Sequence, residues 1–229
     1  MSPAPCALTM IAPLPEGEFL LPLFPLPNLV FFPHTRLPLH VFEPRYRRMV
    51  EDALEGDQRF GLVLLRPGWE AEYFGAPAVY STGTLATIEQ AVPLDDGRFN
   101  IVVRGDTRFR ILDEISVAPY RTARVVAQPE LERDLGKSHA QREWLADLSR
   151  QYLKYLPEQT SVPEIETVDL DALTNALIMS LNLQVEEKQK LLELSDIAAR
   201  AEEVGTELSN RIESLRFLAP YRRGDPSQN

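Results

Sequence analysis

Cysteine is almost missing: Cys6 is the single one in 229 residues, so no internal disulfide can form and nothing calls for an oxidising compartment. Histidine is scarce as well. With only His34, His40 and His139 in the chain, there is little material for a nitrogen-ligated metal centre. Long apolar runs are also lacking. The most apolar stretch, Phe19 to Phe32, is interrupted by Pro22, Pro25 and Pro27 and falls short of the ~20 residues a membrane-spanning helix needs. The first ten residues hold neither Lys nor Arg nor a continuous apolar core, so no signal peptide is read and a cytoplasmic location is expected. Finally, there is no surplus of positive charge. Lys and Arg number 24 against 34 Asp and Glu, a net charge of −10, whereas a general nucleic-acid binder draws its affinity from basic side chains on phosphates. The deficit is uneven. Residues 1–128 carry 12 basic and 15 acidic groups (net −3), and residues 129–229 carry 12 and 19 (net −7), a field that favours basic partners.

What remains is a chain of two textures. From Phe19 to Gln128 short apolar segments follow one another: FLLPLF (19–24), TRLPLHVF (35–42), FGLVLL (60–65), TLATIEQAV (84–92), RFNIVV (98–103), TRFRILDEI (107–115) and YRTARVVAQ (120–128). Turn formers separate the later ones, at Asp95-Asp96-Gly97, Gly105-Asp106 and Ala118-Pro119. Phe109 and Ile111 alternate with Arg108 and Arg110, the mark of a strand with one wet face. Six or seven such strands predict a small barrel or curled sheet. One helix interrupts them, with Pro44 at its first position, Tyr46, Met49, Val50 and Ala53 on one face, and Gly56 as a left-handed stop.

Beyond Gln128 the period changes. Trp144, Leu148, Tyr152 and Tyr155 form one helical stripe, and Leu170, Leu173, Leu177 and Leu181 another, with Asp169 as its N-cap. A short helix follows around VEEKQKLLEL. A long one begins after Ser195, with Ile197, Ala201, Val204, Leu208, Ile212 and Leu215 on one stripe and Pro220 closing it. The expectation is an α+β chain: a flexible tail 1–17, a β-barrel unit 18–128, a helical bundle 129–220 and a flexible tail 221–229.

LPLFPLPNLVFFPHTRLPLHVFEPRYRRMVEDAL (Leu21–Leu54) resembles the opening signature of the Lon protease N-terminal domain family, in its stand-alone form. The similarity continues through RFGLVLL (59–65), GTLATI (83–88), DGRFNIVVRGDTRFRI (96–111) and EEKQKLLEL (186–194), covering roughly residues 19–218. The resemblance implies a PUA-like β-barrel of about six strands with one packed helix, followed by a C-terminal helical bundle. It also implies a substrate-binding role, since in the full proteases this domain helps capture damaged or unfolded proteins. The enzymatic parts of that family have no counterpart here. Gly136-Lys137-Ser138 has the tail of a phosphate-binding loop, but Leu131 stands where the first glycine belongs. The chain ends about where the ATPase would begin, so it is expected to be no enzyme, to act without ATP and to need no cofactor.

His34, His40 and Glu43 match no zinc spacing, and no metal is expected. Cys6 has no basic neighbour to activate it, Ser81 has no evident base, and Ser138 beside His139 is adjacency rather than triad geometry. Arg98, Arg104, Arg108, Arg110, Arg121 and Arg124 support an alternative reading, an RNA-binding barrel with a basic face over strands 98–124. The favoured surface is the aromatic segment Pro67–Tyr80. There Trp69, Tyr73, Phe74 and Tyr80 are the residues expected to bind substrate, and their partners would be unfolded or exposed apolar polypeptide segments in protein quality control. The competing reading folds those rings back as a lid on the barrel. The leucine stripes of the helices read as internal packing, and Glu202, Glu203, Glu207 and Glu213 as a solvated face.

Overall fold

Between Glu18 and Gln128 the apolar alternation resolves into six strands of one mixed sheet. The computed structural model describes residues 15–72, 75–116, 119–131, 135–155, 165 and 167–222. The strands are β1 (Glu18–Leu26), β2 (Arg36–Val41), β3 (Arg59–Leu64), β4 (Thr82–Pro93), β5 (Phe99–Ser116) and β6 (Thr122–Gln128). Their order is β2-β5-β4-β3-β1-β6, and β6 returns to pair with β5, so five strands close a ring and β2 flanks it. Only the β1–β3 pairing is parallel. Closure removes edges that would otherwise invite other strands. At β2, the edge that remains, Pro38 stands opposite Val102 and brings no N–H to the ladder, the placement proline tolerates in a sheet.

Two segments that read as separate strands, RFNIVV and TRFRILDEI, are one strand. Gly105-Asp106 is not a turn. The register slips between Leu85↔Thr107 and Ala86↔Gly105, leaving Asp106 as the extra residue of a β-bulge that bends β5 without reversing it. Glycine is required there because the chain entering β2 lies directly against it: a Cβ on Gly105 would come within 2.4 Å of the Phe32 carbonyl oxygen. Bulge and turn draw on the same residue types, which is why sequence alone confuses them. Because β5 is continuous, its first half carries β2 and its second half carries β6.

Helix α1 (Pro44–Glu55) buries Tyr46, Met49, Val50 and Ala53, the face its spacing predicts. These side chains join Phe24, Phe31, Phe60 and Ile101 in one core cluster, with the Tyr46 and Phe24 rings 4.3 Å apart. Gly56 ends the helix but at φ −108°; the left-handed residue is Gln58, at φ 62°. Four helices follow: α2 (Leu135–Leu153), α3 (Leu170–Ser180), α4 (Val185–Glu193) and α5 (Ile197–Arg222). The α5 stripe Ile197, Ala201, Val204, Leu208 and Ile212 is buried, packed with Leu173, Leu177 and Ile178 of α3. Three details differ from expectation. On α2 the buried apolar side chains among the described residues are Leu145 and Ala146, while Trp144 is exposed; Asp169 sits at the N-cap without a side-chain cap bond; and α5 continues to Arg222, placing Pro220 in its last turn. Among the described residues no helix is long and apolar enough to cross a membrane.

A polar joint ties the barrel to the helices. Glu130, just after β6, accepts hydrogen bonds from Arg108 Nε of β5 (2.9 Å) and from Arg200 Nη1 and Nη2 of α5 (3.1 and 2.9 Å). Both arginines are essentially fully buried. Arg108 also donates to the Leu192 carbonyl (3.1 Å), and Arg200 to the carbonyls of Leu191 and Leu194 and to Asn175 Oδ1. Asn175 Nδ2 reaches the Pro33 carbonyl and Gln189 Nε2 the Thr82 carbonyl, each at 3.2 Å. Burial lowers the Arg200 pKa, and the Glu130 carboxylate works against that shift. Removing Glu130 would strand two buried cations, so Glu130→Ala is expected to destabilise the fold by about 3–5 kcal/mol in urea denaturation.

His34 adds a titratable contact to the joint. Its Nε2 lies 2.9 Å from Asp171 Oδ2 at the start of α3. That hydrogen bond raises the imidazole pKa above its ordinary 6.5; partial burial and Arg104 oppose the rise and Glu130 supports it. At Asp171 burial pushes the pKa up, but the bond and charge of His34 outweigh it and hold the carboxyl below its usual range. The raised imidazole contributes stability that is fully present below about pH 6.5 and lost as pH climbs through the folded pKa. The carboxyl contributes above about pH 4 and loses that contribution as pH falls through its lowered value. The wild-type urea midpoint should therefore fall as the pH rises above about 6.5. His34→Asn, which tolerates the φ of 61° at this position, should flatten that slope.

Candidate functional site

The aromatic segment between β3 and β4 leaves and returns through a narrow neck. Leu65 bridges Val79, the Arg66 N–H donates to the Ala78 carbonyl (2.8 Å), and the Tyr80 N–H donates to the Leu64 carbonyl (2.9 Å). Arg66 Nε bonds the Val79 carbonyl at 3.0 Å, and its guanidinium lies 5.3 Å over the Tyr80 ring. Beyond the neck, Gly68 takes φ +88° and starts a single 3₁₀ turn over Trp69–Glu72. A side chain other than hydrogen is disfavoured at that φ.

This geometry brings Trp69 and Tyr80, both half-buried, to the junction of barrel and helices. They wall a cavity of about 190 Å³ together with Leu64 and Leu65 from the end of β3 and Val185 and Glu186 from the first turn of α4. Tyr80 also packs against the helical core. The remaining two aromatics of the expected site, Tyr73 and Phe74, lie outside the described residues. Val185 and Glu186 escaped sequence reasoning because they come from more than a hundred positions away, and only docking of α4 brings them to the loop.

A larger concavity, about 510 Å³, lies beside the joint and is polar, lined by Glu130, Ser138, His139, Arg142, Asp169 and Asp171. Glu130, Arg142 and Asp171 are committed to structural bonds. Arg142 donates to the Val168 and Ile165 carbonyls (2.9 and 2.8 Å), Asp171 holds His34, and Glu130 holds the two arginines. Ser138 and His139 are consecutive on α2, so they diverge by about 100° around the helix axis. Gly136-Lys137-Ser138 likewise falls in the first turns of that helix, and Ser81 is an exposed bend before β4. Cys6 lies outside the described residues.

The three residues weighed as metal ligands go separate ways. His34 bonds Asp171, His40 Nδ1 meets Asn100 Oδ1 (2.7 Å) and its Nε2 faces Arg98, and Glu43 pairs with Arg45 at 3.0 Å. Among the described residues no three His, Cys, Asp or Glu side chains come together as a metal site. The arginines of strands 98–124 are mostly paired too. Arg98 meets Asp96, Arg104 meets Glu89 and Asp106, Arg121 meets Glu114, and Arg124 meets Asp113 and Glu18. Arg108 is buried, which leaves Arg110 as the exposed one without an ion pair among the described residues. Little free positive charge remains there for phosphates.

The two described rings differ in what they support. Trp69→Ala should cost little stability, under about 1 kcal/mol, whereas Tyr80→Ala removes a ring packed on the helical core and should cost about 1–2 kcal/mol, both read from urea midpoints.

Comparison with known proteins adds a consistent picture. Residues 20–210 match the family model described as the ATP-dependent protease La (LON) substrate-binding domain. The chain is 32% identical over 207 residues to Lon protease 2 of Myxococcus xanthus, covering 86% of the chain and 24% of that protein. It is 31% identical over 204 residues to Lon protease of Anaeromyxobacter dehalogenans, with the same coverages. The chain thus spans about a quarter of the length of these curated relatives. In fold it is similar to a Lon N-terminal domain protein from Xanthomonas campestris (TM-score 0.59, 24% identity, 81% of this chain and 96% of that one). It is also similar to the N-terminal domain of Lon protease from Mycobacterium avium complex (TM-score 0.61, 20% identity, 83% and 98%).

Proposed function

The chain belongs to the ATP-dependent protease La (LON) substrate-binding domain family, and from that premise we propose that it binds unfolded or exposed apolar polypeptide segments in the groove between Trp69, Tyr80 and α4. In this reading it is a non-catalytic recognition module, working without ATP or any cofactor, in the cytoplasm and in protein quality control. One observation carries the assignment to this groove: two half-buried aromatic rings and the start of a helix converge over Leu64 and Leu65 where barrel and bundle meet. Aromatic side chains anchor a partner well because they bury much area with few rotatable bonds to freeze.

Magnitudes bound the affinity. Each apolar side chain of a client that becomes fully buried contributes about 1.5–3 kcal/mol. Association itself costs at least about 4 kcal/mol, so binding in the range of tens of micromolar, about 6 kcal/mol net, calls for roughly four to seven such side chains along an unfolded client. Such weak capture suits a module that must release what it holds.

The test is a titration of the protein into a reduced, permanently unfolded client carrying a fluorophore. Saturation at about tens of micromolar is expected, and Trp69→Ala should weaken it about tenfold, the loss of one anchoring ring. Absence of both binding and aggregation suppression at those concentrations would overturn the proposal.

A further inference from the structure

A second concavity lies on the other side of the same helical turn. Val185 and Glu186 wall the groove described above, while Leu183 and Glu187 wall a cavity of about 330 Å³ between α4 and α5. Its apolar surface comes from Leu183, Leu191, Leu194 and Val204. The three leucines are only partly buried, so part of what reads in sequence as an internal stripe is open to a ligand. Residues 183–187, the turn that starts α4, thus border both concavities. A helix with its side chains is about 10 Å across, which three or four residues of extended chain cross at about 3.3 Å each.

The rims are predominantly acidic. Glu70 and Glu186 border the first concavity, and Glu187, Glu203 and Glu207 border the second against Lys190. Not all of that charge is available. Arg211 holds Glu207 at 2.6 Å, and the Glu187 carboxylate caps the Gln184 N–H at 2.9 Å. Glu186 and Glu203 are exposed and have no ion pair among the described residues, and one stands on each rim.

We infer that a single extended client segment lies across the first turn of α4, with an apolar side chain in each concavity and Lys or Arg side chains over Glu186 and Glu203. The inference rests on the recognition role proposed above and narrows its substrate class to apolar segments flanked by basic residues. Acidic clients are rejected by the same two carboxylates, since like charges at a rim slow encounter and raise dissociation.

The test uses fluorescein-labelled peptides with two Phe-Leu pairs joined by four Gly and Ser residues, flanked by Lys in one version and by Glu in the other. Fluorescence anisotropy is measured with the full chain, with Glu186→Lys, with Glu203→Lys and with both. The Lys peptide should bind wild type more tightly. Each single substitution should weaken it about three- to tenfold, and the double by roughly the product, all shrinking at high salt. The Glu peptide should gain affinity for the double variant. Equal affinity of wild type for the two peptides overturns the charge assignment, and a response to only one of the two single substitutions overturns the bridging path. If wild type binds neither peptide, the recognition role itself falls, an outcome distinct from the other two.

Discussion

Glu130 is the residue on which the architecture turns. Alone, a carboxylate between two buried guanidinium groups is a doubtful source of stability, because each ion costs several kcal/mol to take out of water. At an effective dielectric near 20, each close pair returns only about 4 kcal/mol. What tips the balance is the set of further acceptors. Arg108 and Arg200 spend their remaining donors on the carbonyls of Pro129, Leu191, Leu192 and Leu194 and on Asn175. The three leucine carbonyls lie at the end of α4 and just beyond it, where a helix leaves acceptors unsatisfied. The charges and the orphan helix end therefore solve each other's problem. Through Gln189 on Thr82 and Arg108 on Leu192, α4 is held on the barrel, and the groove beside Trp69 exists only while it stays there.

Much of this fold was legible in the sequence, and the reasons are local. The α1 face, the α5 stripe and six of the strand segments follow from periodicity, which a single element imposes on its own residues. What was not legible depends on contacts between distant segments. Gly105-Asp106 reads as a turn because nothing nearby reveals that Phe32 crosses β5 there. Arg108 alternates with Phe109 and so reads as solvated, but the outer face of β5 at that point lies under the helices. The same limit applies to the groove. Trp69 and Tyr80 announce themselves by composition, whereas Val185 and Glu186 carry no signal until α4 docks.

The paired arginines between Arg98 and Arg124 show a related point about charge. A local count of positive residues suggests a basic face, yet Arg104, Arg121 and Arg124 meet carboxylates of neighbouring strands and Arg98 meets Asp96 in the adjoining turn. Cross-strand pairing neutralises a sheet surface that sequence alone cannot see as neutral. The unbalanced carboxylates instead collect on the helical side, consistent with the net −7 of residues 129–229.

Pro38 in the flanking strand β2 has a consequence for the one open edge of the sheet. Unfolded polypeptides recruit any regular row of backbone donors into a growing cross-β stack. A strand whose central residue offers no N–H interrupts that row, so β2 is a poor template for adding a further strand.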